Sequence, residues 1–109
     1  MSEKQTQTLL ERAREIFPVE EGNVQMSKIV AYVFGPKEAV NVYQLTPERS
    51  QSFYIVTYMF LDDELPWGMG LTIKQALEDA SFQWRSLDPD HVGPNDPFKL
   101  ALQLEEVEK

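Results

Sequence analysis

Residues 52–61, SFYIVTYMFL, decide the fold class of this 109-residue chain. Nearly every side chain in this segment is β-branched, aromatic or a large aliphatic, which is typical of a buried strand. Turn-forming residues precede it at 46–50 and follow it at 62–64. Neither alternating face is polar, so we expect a central strand with both faces internal. The alternative is that the face of Tyr54 and Tyr58 meets a partner.

Two further strands are predicted upstream of this segment. Residues 24–34 alternate between two sides, and their first half is expected to be half exposed while the second half is buried. Residues 35–38, Gly-Pro-Lys-Glu, form a turn signal, and residues 39–45 follow as a short strand. Strands joined by such short turns form an antiparallel meander.

Two amphipathic helices are predicted, one before and one after these strands. Residues 5–17 place five apolar side chains on one stripe with a period of 3.6 residues, and residues 1–4 are expected to be disordered. The second helix begins with Thr72 as its N-cap and Gln75 at the third helical position, and it ends near Leu87. The side chains that we expect to face the sheet are Ile73, Leu77, Ala80, Trp84 and Leu87.

Two segments complete the fold prediction. Residues 62–70, DDELPWGMG, contain one proline and two glycines, which predicts a loop. Residues 98–105 alternate in period two, which predicts a strand, although their composition and the preceding Asp96-Pro97 favour a helix. We therefore expect one α+β domain over residues 1–109, with a three- or four-stranded antiparallel sheet packed by two helices. The predicted order is αβββαβ, with αβββαα as the alternative.

The composition narrows the classes of function. Eighteen acidic and ten basic residues give a net charge of −8, which argues against direct binding to nucleic acid or anionic membranes. The same charge permits docking on a basic surface. The absence of cysteine excludes disulfides, thiolate zinc sites and cysteine nucleophiles. No signal peptide is recognised at the start, and no apolar run approaches the ~20 residues of a membrane span, so we expect a cytoplasmic protein.

The sole histidine lies in the predicted loop of residues 88–96, which also contains several acidic side chains. Its candidate metal ligands or acid–base groups are Asp88, Asp90, His91 and Asp96. The spacing does not fit a calcium loop, because Val92 and Lys99 stand where oxygen ligands are required. Nucleophile-elbow and phosphate-cradle motifs are also absent from the sequence. We therefore expect no catalysis and no cofactor, and a metal-binding or enzymatic use of this loop is a third hypothesis.

The best functional signal is an acidic and aromatic surface near the start of the second helix. Tryptophan and methionine are enriched at binding surfaces, and Phe82 lies half a turn away from the stripe that faces the sheet. The predicted partner-binding residues are Asp62, Asp63, Glu64, Trp67, Met69, Leu71 and Phe82. The alternative is that Trp67 folds onto the core and Phe82 meets the first helix.

These observations predict a small, acidic, non-catalytic protein-binding module that regulates or inhibits a partner with a basic surface. The alternative is a nucleic-acid mimic that inhibits a DNA- or RNA-acting host-defence system, with carboxylates spaced like phosphates. A homodimer is a further hypothesis, formed across the face of Tyr54 and Tyr58 or along the edge of residues 24–34.

Overall fold

The computed structural model of the chain describes residues 3–17, 23–87 and 96–107. Within them the chain forms a four-stranded antiparallel sheet and three helices, which confirms the α+β class. The elements are α1 (Glu3–Ile16), β1 (Val24–Gly35), β2 (Glu38–Pro47), β3 (Phe53–Phe60), β4 (Asp63–Gly70), α2 (Ile73–Leu87) and α3 (Pro97–Val107). The spatial order β1-β2-β3-β4 follows the chain, so the sheet is a meander.

Strand β3 lies inside the sheet between β2 and β4, as its composition predicts. Ile55, Val56 and Thr57 are fully buried, so both faces of this strand are covered. Tyr54 and Tyr58 pack against the cluster that α2 and α3 form with the sheet. The expectation that both faces are internal is therefore confirmed for the middle of the strand, where the chain's own helices pack on the tyrosine face. At the end of the predicted segment it is wrong, because Phe60 is 54% and Leu61 is 57% exposed.

One face of the sheet, here called the aromatic face, packs against α2 and α3 through large rings. The Trp84 ring on α2 lies at the centre of this packing. Its centroid is 5.0 Å from that of Trp67, 5.4 Å from that of Tyr58 and 5.7 Å from that of Phe98. Such distances are typical of aromatic pairs, which add to the stabilisation from buried apolar area.

Helix α2 lies in direct contact with the backbone of β4. A Cβ atom on Gly68 would stand 2.3 Å from the Ala80 nitrogen and 2.6 Å from the Ala76 oxygen. A Cβ atom on Gly70 would stand 2.6 Å from the Ala76 nitrogen. Glycine on the strand and buried alanine on the helix therefore set the separation of the two elements.

The prediction of a loop over residues 62–70 is wrong, because residues 63–70 form the edge strand β4. Its glycines are required by the close approach of α2 and do not break the strand. The main-chain oxygen of Glu64 accepts a hydrogen bond from Arg12 of α1, so it points away from β3. The backbone of Pro66, two residues later, has the same outward orientation. Its nitrogen therefore faces away from β3, so the missing N–H group costs no hydrogen bond between the strands.

The prediction of a strand in the tail is also wrong, because residues 97–107 form α3. Asp96 caps this helix: its Oδ1 accepts from the N–H groups of Phe98 at 3.0 Å and Lys99 at 3.2 Å. Phe98 is fully buried, whereas Leu100 and Leu104 are 43% and 45% exposed. The alternation of apolar residues that predicted a strand therefore includes leucines on the exposed side of the helix.

The opposite face of the sheet, here called the polar face, is covered in part by α1. Leu9 and Ala13 of α1 are buried against the sheet, as the apolar stripe predicts. The sheet residues in this cluster are Tyr43, Leu45, Phe53 and Ile55. Helix α1 therefore reaches β4 across the sheet and places its last turn beside that edge.

Candidate protein-binding site

The turn between β3 and β4 exposes a leucine in an unfavourable backbone conformation. Leu61 has a φ angle of 60° and is 57% exposed. Glycine is usual at the first central position of a two-residue hairpin turn with positive φ there. For an ordinary L-residue the left-handed conformation costs about 1 kcal/mol or more. The Leu61 N–H donates to the Lys37 carbonyl at 2.7 Å, which ties this turn to the turn between β1 and β2.

Two apolar grooves run along β4 and meet at Leu65 and Trp67, and together they are called the β4 trough. The larger groove has a volume of about 610 Å³, and its apolar walls are Ile16, Phe17, Leu65, Pro66, Trp67 and Met69. The smaller groove has a volume of about 550 Å³, and its apolar walls are Tyr58, Phe60, Leu61, Leu65 and Trp67. Ile16, Phe60 and Leu65 are 57%, 54% and 43% exposed, so much of the trough surface meets solvent.

Carboxylates stand along the rim of the trough. The side chains of Asp62 and Asp63 are 95% and 73% exposed and line the smaller groove. Asp79 of α2 lines the larger groove, and its Oδ2 accepts from the Met69 N–H at 3.0 Å. Arg12 lies 3.6 Å from Asp63, but an exposed ion pair of this kind contributes little stability and leaves the carboxylate accessible. The trough therefore has an apolar floor and an acidic rim.

The structure brings most of the predicted binding residues to this region. Asp62, Asp63 and Trp67 line the smaller groove, and Trp67 and Met69 line the larger one. The Trp67 ring also packs on Trp84, so the alternative that it folds onto the core is correct for part of the ring. One tryptophan thus contributes to the core and to the trough.

Leu71 and Phe82 lie outside both grooves. They are 59% and 60% exposed, which confirms that Phe82 points away from the sheet. Phe82 lies on α2 three residues after Asp79, and side chains three apart are neighbours on a helix. Phe82 is therefore one helical ridge away from the wall of the larger groove.

Glu64 differs from its two acidic neighbours because its carboxylate turns inward onto the polar face. Its Oε2 accepts hydrogen bonds from Asn41 Nδ2 at 3.0 Å, Tyr43 Oη at 2.7 Å and Thr57 Oγ1 at 2.5 Å. The three donors are buried residues of β2 and β3. Burial first, and then the hydrogen bond and negative charge of Glu64, raise the pKa of Tyr43 well above its usual value. Glu64 therefore holds the polar face together and does not line the rim.

Several trough residues were not predicted from the sequence. The sequence predicts Ile16 and Phe17 for the apolar stripe of the first helix, and Phe60 and Leu61 for the internal faces of the central strand. Leu65 is not among the predicted binding residues. Leu65, Trp67 and Met69 recur with a period of two, and this was the available signal for a strand. That signal lay within a segment whose proline and glycines indicated a loop. A register shift in β4 places Leu65 and Trp67 on the aromatic face and Met69 on the polar face.

The hypothesis of a metal site in residues 88–96 falls largely outside the described residues. Asp88, Asp90 and His91 are not described, so their placement is not tested. Asp96 is buried, and in addition to capping α3 its Oδ2 accepts from Ser81 Oγ at 2.5 Å. Among residues 3–17, 23–87 and 96–107, no group of three or more histidine or acidic side chains is placed to hold a metal ion.

Helix length and comparisons with known proteins complete the description of the site. Within the described part of the chain, none of the helices combines the length and apolar character needed to cross a membrane. No match to this chain was found among protein-family models, curated proteins or solved structures. The function is therefore inferred from the geometry and charge of the site.

Proposed function

We propose that this chain is a non-catalytic protein-binding module that regulates or inhibits a partner protein by stoichiometric contact. The observation that supports this function is the β4 trough, a concave apolar surface with an acidic rim. Adjoining exposed apolar side chains, here those of Ile16, Phe60, Leu61 and Leu65, are typical of interaction sites. An apolar centre within a polar rim is the usual anatomy of a protein interface.

The partner is expected to present an apolar side chain flanked by basic residues. Its apolar group inserts beside Leu65 and Trp67, where the two grooves meet. Its basic groups approach Asp62 and Asp63, whose carboxylates face solvent at the rim. The net charge of −8 accelerates the approach of such a basic surface.

The conformation of Leu61 supports a role in contact with the partner. Glycine or asparagine at this turn would relieve the unfavourable φ angle. The exposed leucine therefore contributes less to stability than those residues would, and its apolar surface faces the smaller groove. Strained residues of this kind are concentrated at functional sites.

Leu71 and Phe82 are assigned to the periphery of the proposed interface. Both are exposed; Phe82 lies on α2, and Leu71 lies between β4 and α2. Peripheral contacts usually contribute much less to affinity than side chains at the centre of an interface. We therefore expect Phe82→Ala to weaken binding less than a change at Leu65.

Photo-crosslinking followed by affinity measurement tests the proposed function. A photoreactive amino acid replaces Leu65 in cells that produce the protein, and a second form carries it at exposed Glu48 in the turn between β2 and β3. We expect a partner protein to crosslink at position 65 and not at position 48. With the purified partner, Leu65→Ala and Leu61→Gly should each raise Kd about tenfold or more, because truncating a central contact has effects of this size.

The Leu61→Gly variant separates binding from folding. Glycine accepts a positive φ angle, so the free energy of unfolding should be unchanged or raised while the affinity falls. The matched control is Glu48→Ala, which should leave Kd unchanged. Wild-type affinity in both Leu65→Ala and Leu61→Gly, with the partner still bound, would place the interface elsewhere and overturn the assignment of the trough.

A further inference from the structure

The two edges of the sheet differ in how the rest of the chain covers them. At β4 the Arg12 side chain donates to the Glu64 main-chain oxygen, and the Asp79 carboxylate accepts from the Met69 N–H. At the other edge, β1 has β2 as its only strand neighbour among the described residues. Of the twelve residues of β1, only Tyr32 is buried. In the part of the chain that the structure describes, strand β1 therefore offers an open edge at which another strand can pair.

The register shows which main-chain groups of β1 face outward. The Glu64 oxygen points away from β3, so the opposite residue, Met59, bonds to β2. Ala39 lies opposite Met59 and therefore bonds to β3. Val33, opposite Ala39, consequently directs its N–H and C=O to the open edge. The same alternation applies to Ala31, two residues earlier, because the pairing between these positions is regular.

The charge and exposure of β1 favour a second copy of this chain as the occupant. Residues 24–37 include two lysines and no acidic residue, whereas the whole chain has 18 acidic residues. Two chains of charge −8 repel each other, and contact between their β1 strands limits this repulsion because the strand itself carries no carboxylate. The Nζ of Lys28 lies 5.9 Å from the centroid of the Tyr43 ring, so this cation is directed over the sheet and leaves the edge accessible. Ile29 and Val33 are 40% and 71% exposed and supply apolar surface beside the edge.

We infer that two copies of this chain pair through their β1 strands in antiparallel orientation. The contact is isologous, since the same strand serves in both copies and a two-fold axis relates them. It joins the two sheets into one continuous sheet. Because β1 and β4 are opposite edges, each copy keeps its β4 trough free, and the dimer presents two binding surfaces.

Sedimentation equilibrium over a series of protein concentrations tests the dimer, with Val33→Pro and Val33→Ala as matched variants. Both variants lose the valine methyl groups, but only proline removes the outward N–H, and proline is tolerated on edge strands. We expect the wild type and Val33→Ala to dimerise. Val33→Pro should raise the dimer dissociation constant about tenfold or more, because symmetry removes the hydrogen bond twice. Added salt should strengthen the wild-type dimer by screening the repulsion of the two chains.

Amide hydrogen exchange on the wild type provides a measurement that does not depend on a variant folding. The Ala31 and Val33 N–H groups should exchange more slowly as the protein concentration rises. A wild type that sediments as a monomer throughout the series would overturn the inference. So would exchange at these two amides that is independent of concentration. A dimer that persists in folded Val33→Pro but is lost in Leu65→Ala would place the second copy in the trough and would also overturn it.

Discussion

The two faces of the sheet are stabilised in different ways. On the aromatic face, Trp84 and Phe98 pack against rings of the sheet, and α2 approaches β4 closely enough to require glycine. On the polar face, the Glu64 carboxylate joins three buried donors from neighbouring strands. The first face depends on shape and apolar area, whereas the second combines an apolar cluster with α1 and a buried network that depends on one acceptor being in place.

This difference affects where the binding site can lie. β4 takes part in both faces, through Gly68 and Trp67 on the aromatic face and through Glu64 on the polar face. An edge strand held from both faces is rigid, and a rigid element positions side chains for recognition more accurately than a loop does. Exposed Leu65 can therefore serve the trough without being required for folding, whereas Trp67 serves both.

The largest predicted effect comes from adding one methyl group to the aromatic face. Gly68→Ala places a Cβ atom 2.3 Å from the Ala80 backbone nitrogen, so helix or strand must shift. We expect the free energy of unfolding to fall by about 3 kcal/mol, the upper part of the range for overpacking. Denaturation in urea measures this change.

The control for Gly68→Ala is the same substitution at a glycine with open space. At Gly35 the nearest atom to an added Cβ is 4.0 Å away, so Gly35→Ala should change the stability by no more than about 0.5 kcal/mol. Equal effects at the two positions would mean that α2 does not lie on β4 as described.

The close contact at Gly68 also explains why part of the fold was not predicted from the sequence. The β3 strand is indicated by its own composition and α2 by its own helical period, and both are confirmed. The glycines of β4 depend on a helix that follows later in the chain, and its proline depends on lying at the outer edge. Neither condition is visible within a short window of sequence, so the same residues indicated a loop. In α3, the apolar residues Leu100 and Leu104 lie on the exposed side of the helix. The apolar residues of this segment therefore do not follow the 3.6-residue period that identifies a helix in a sequence.

The intermediate effect comes from removing the acceptor on the polar face. Glu64→Ala leaves the buried hydroxyls of Tyr43 and Thr57 and the amide of Asn41 without this carboxylate. Loss of a shared buried acceptor should lower the free energy of unfolding by about 2 kcal/mol. The matched control, Asp62→Ala, removes a carboxylate that is 95% exposed and should have almost no effect on stability. An equally small change in Glu64→Ala would contradict the network.

The candidate site was predicted in part for a related reason. The outward direction of Phe82 follows from the helical stripe alone, and it is confirmed. The sequence places Glu64 with Asp62 and Asp63 because the three are adjacent in the chain. Its inward direction depends on pairing with residues 7 to 23 positions away, which a run of three acidic letters does not reveal. The positive φ angle of Leu61 likewise follows from the tight connection of two strands.

The smallest predicted effect is a change in pH dependence that involves one tyrosine on each face. Burial, followed by hydrogen bonding and charge from Glu64 and Glu38 respectively, raises the pKa values of Tyr43 and Tyr58 above the usual value near 10. Above about pH 10 the unfolded chain releases these protons while the folded chain retains them. The unfolded state then binds fewer protons than the folded state. The contribution of these two tyrosines to the free energy of unfolding is therefore fully present below about pH 10 and is lost as the pH rises further.

Single variants assign this alkaline loss to the two faces. Tyr43→Phe and Tyr58→Phe should each reduce the dependence of the unfolding free energy on pH by about one proton above pH 10. The measurement is urea denaturation at a series of alkaline pH values. Thr57→Val is the control, because it removes another donor to Glu64 but no titrating group, and it should lower the stability while leaving the slope in place. An unchanged slope in Tyr43→Phe would mean that the Tyr43 hydroxyl ionises equally well in the folded and unfolded chains. The polar face would then be open to water at this position, contrary to the buried hydrogen bonds described above.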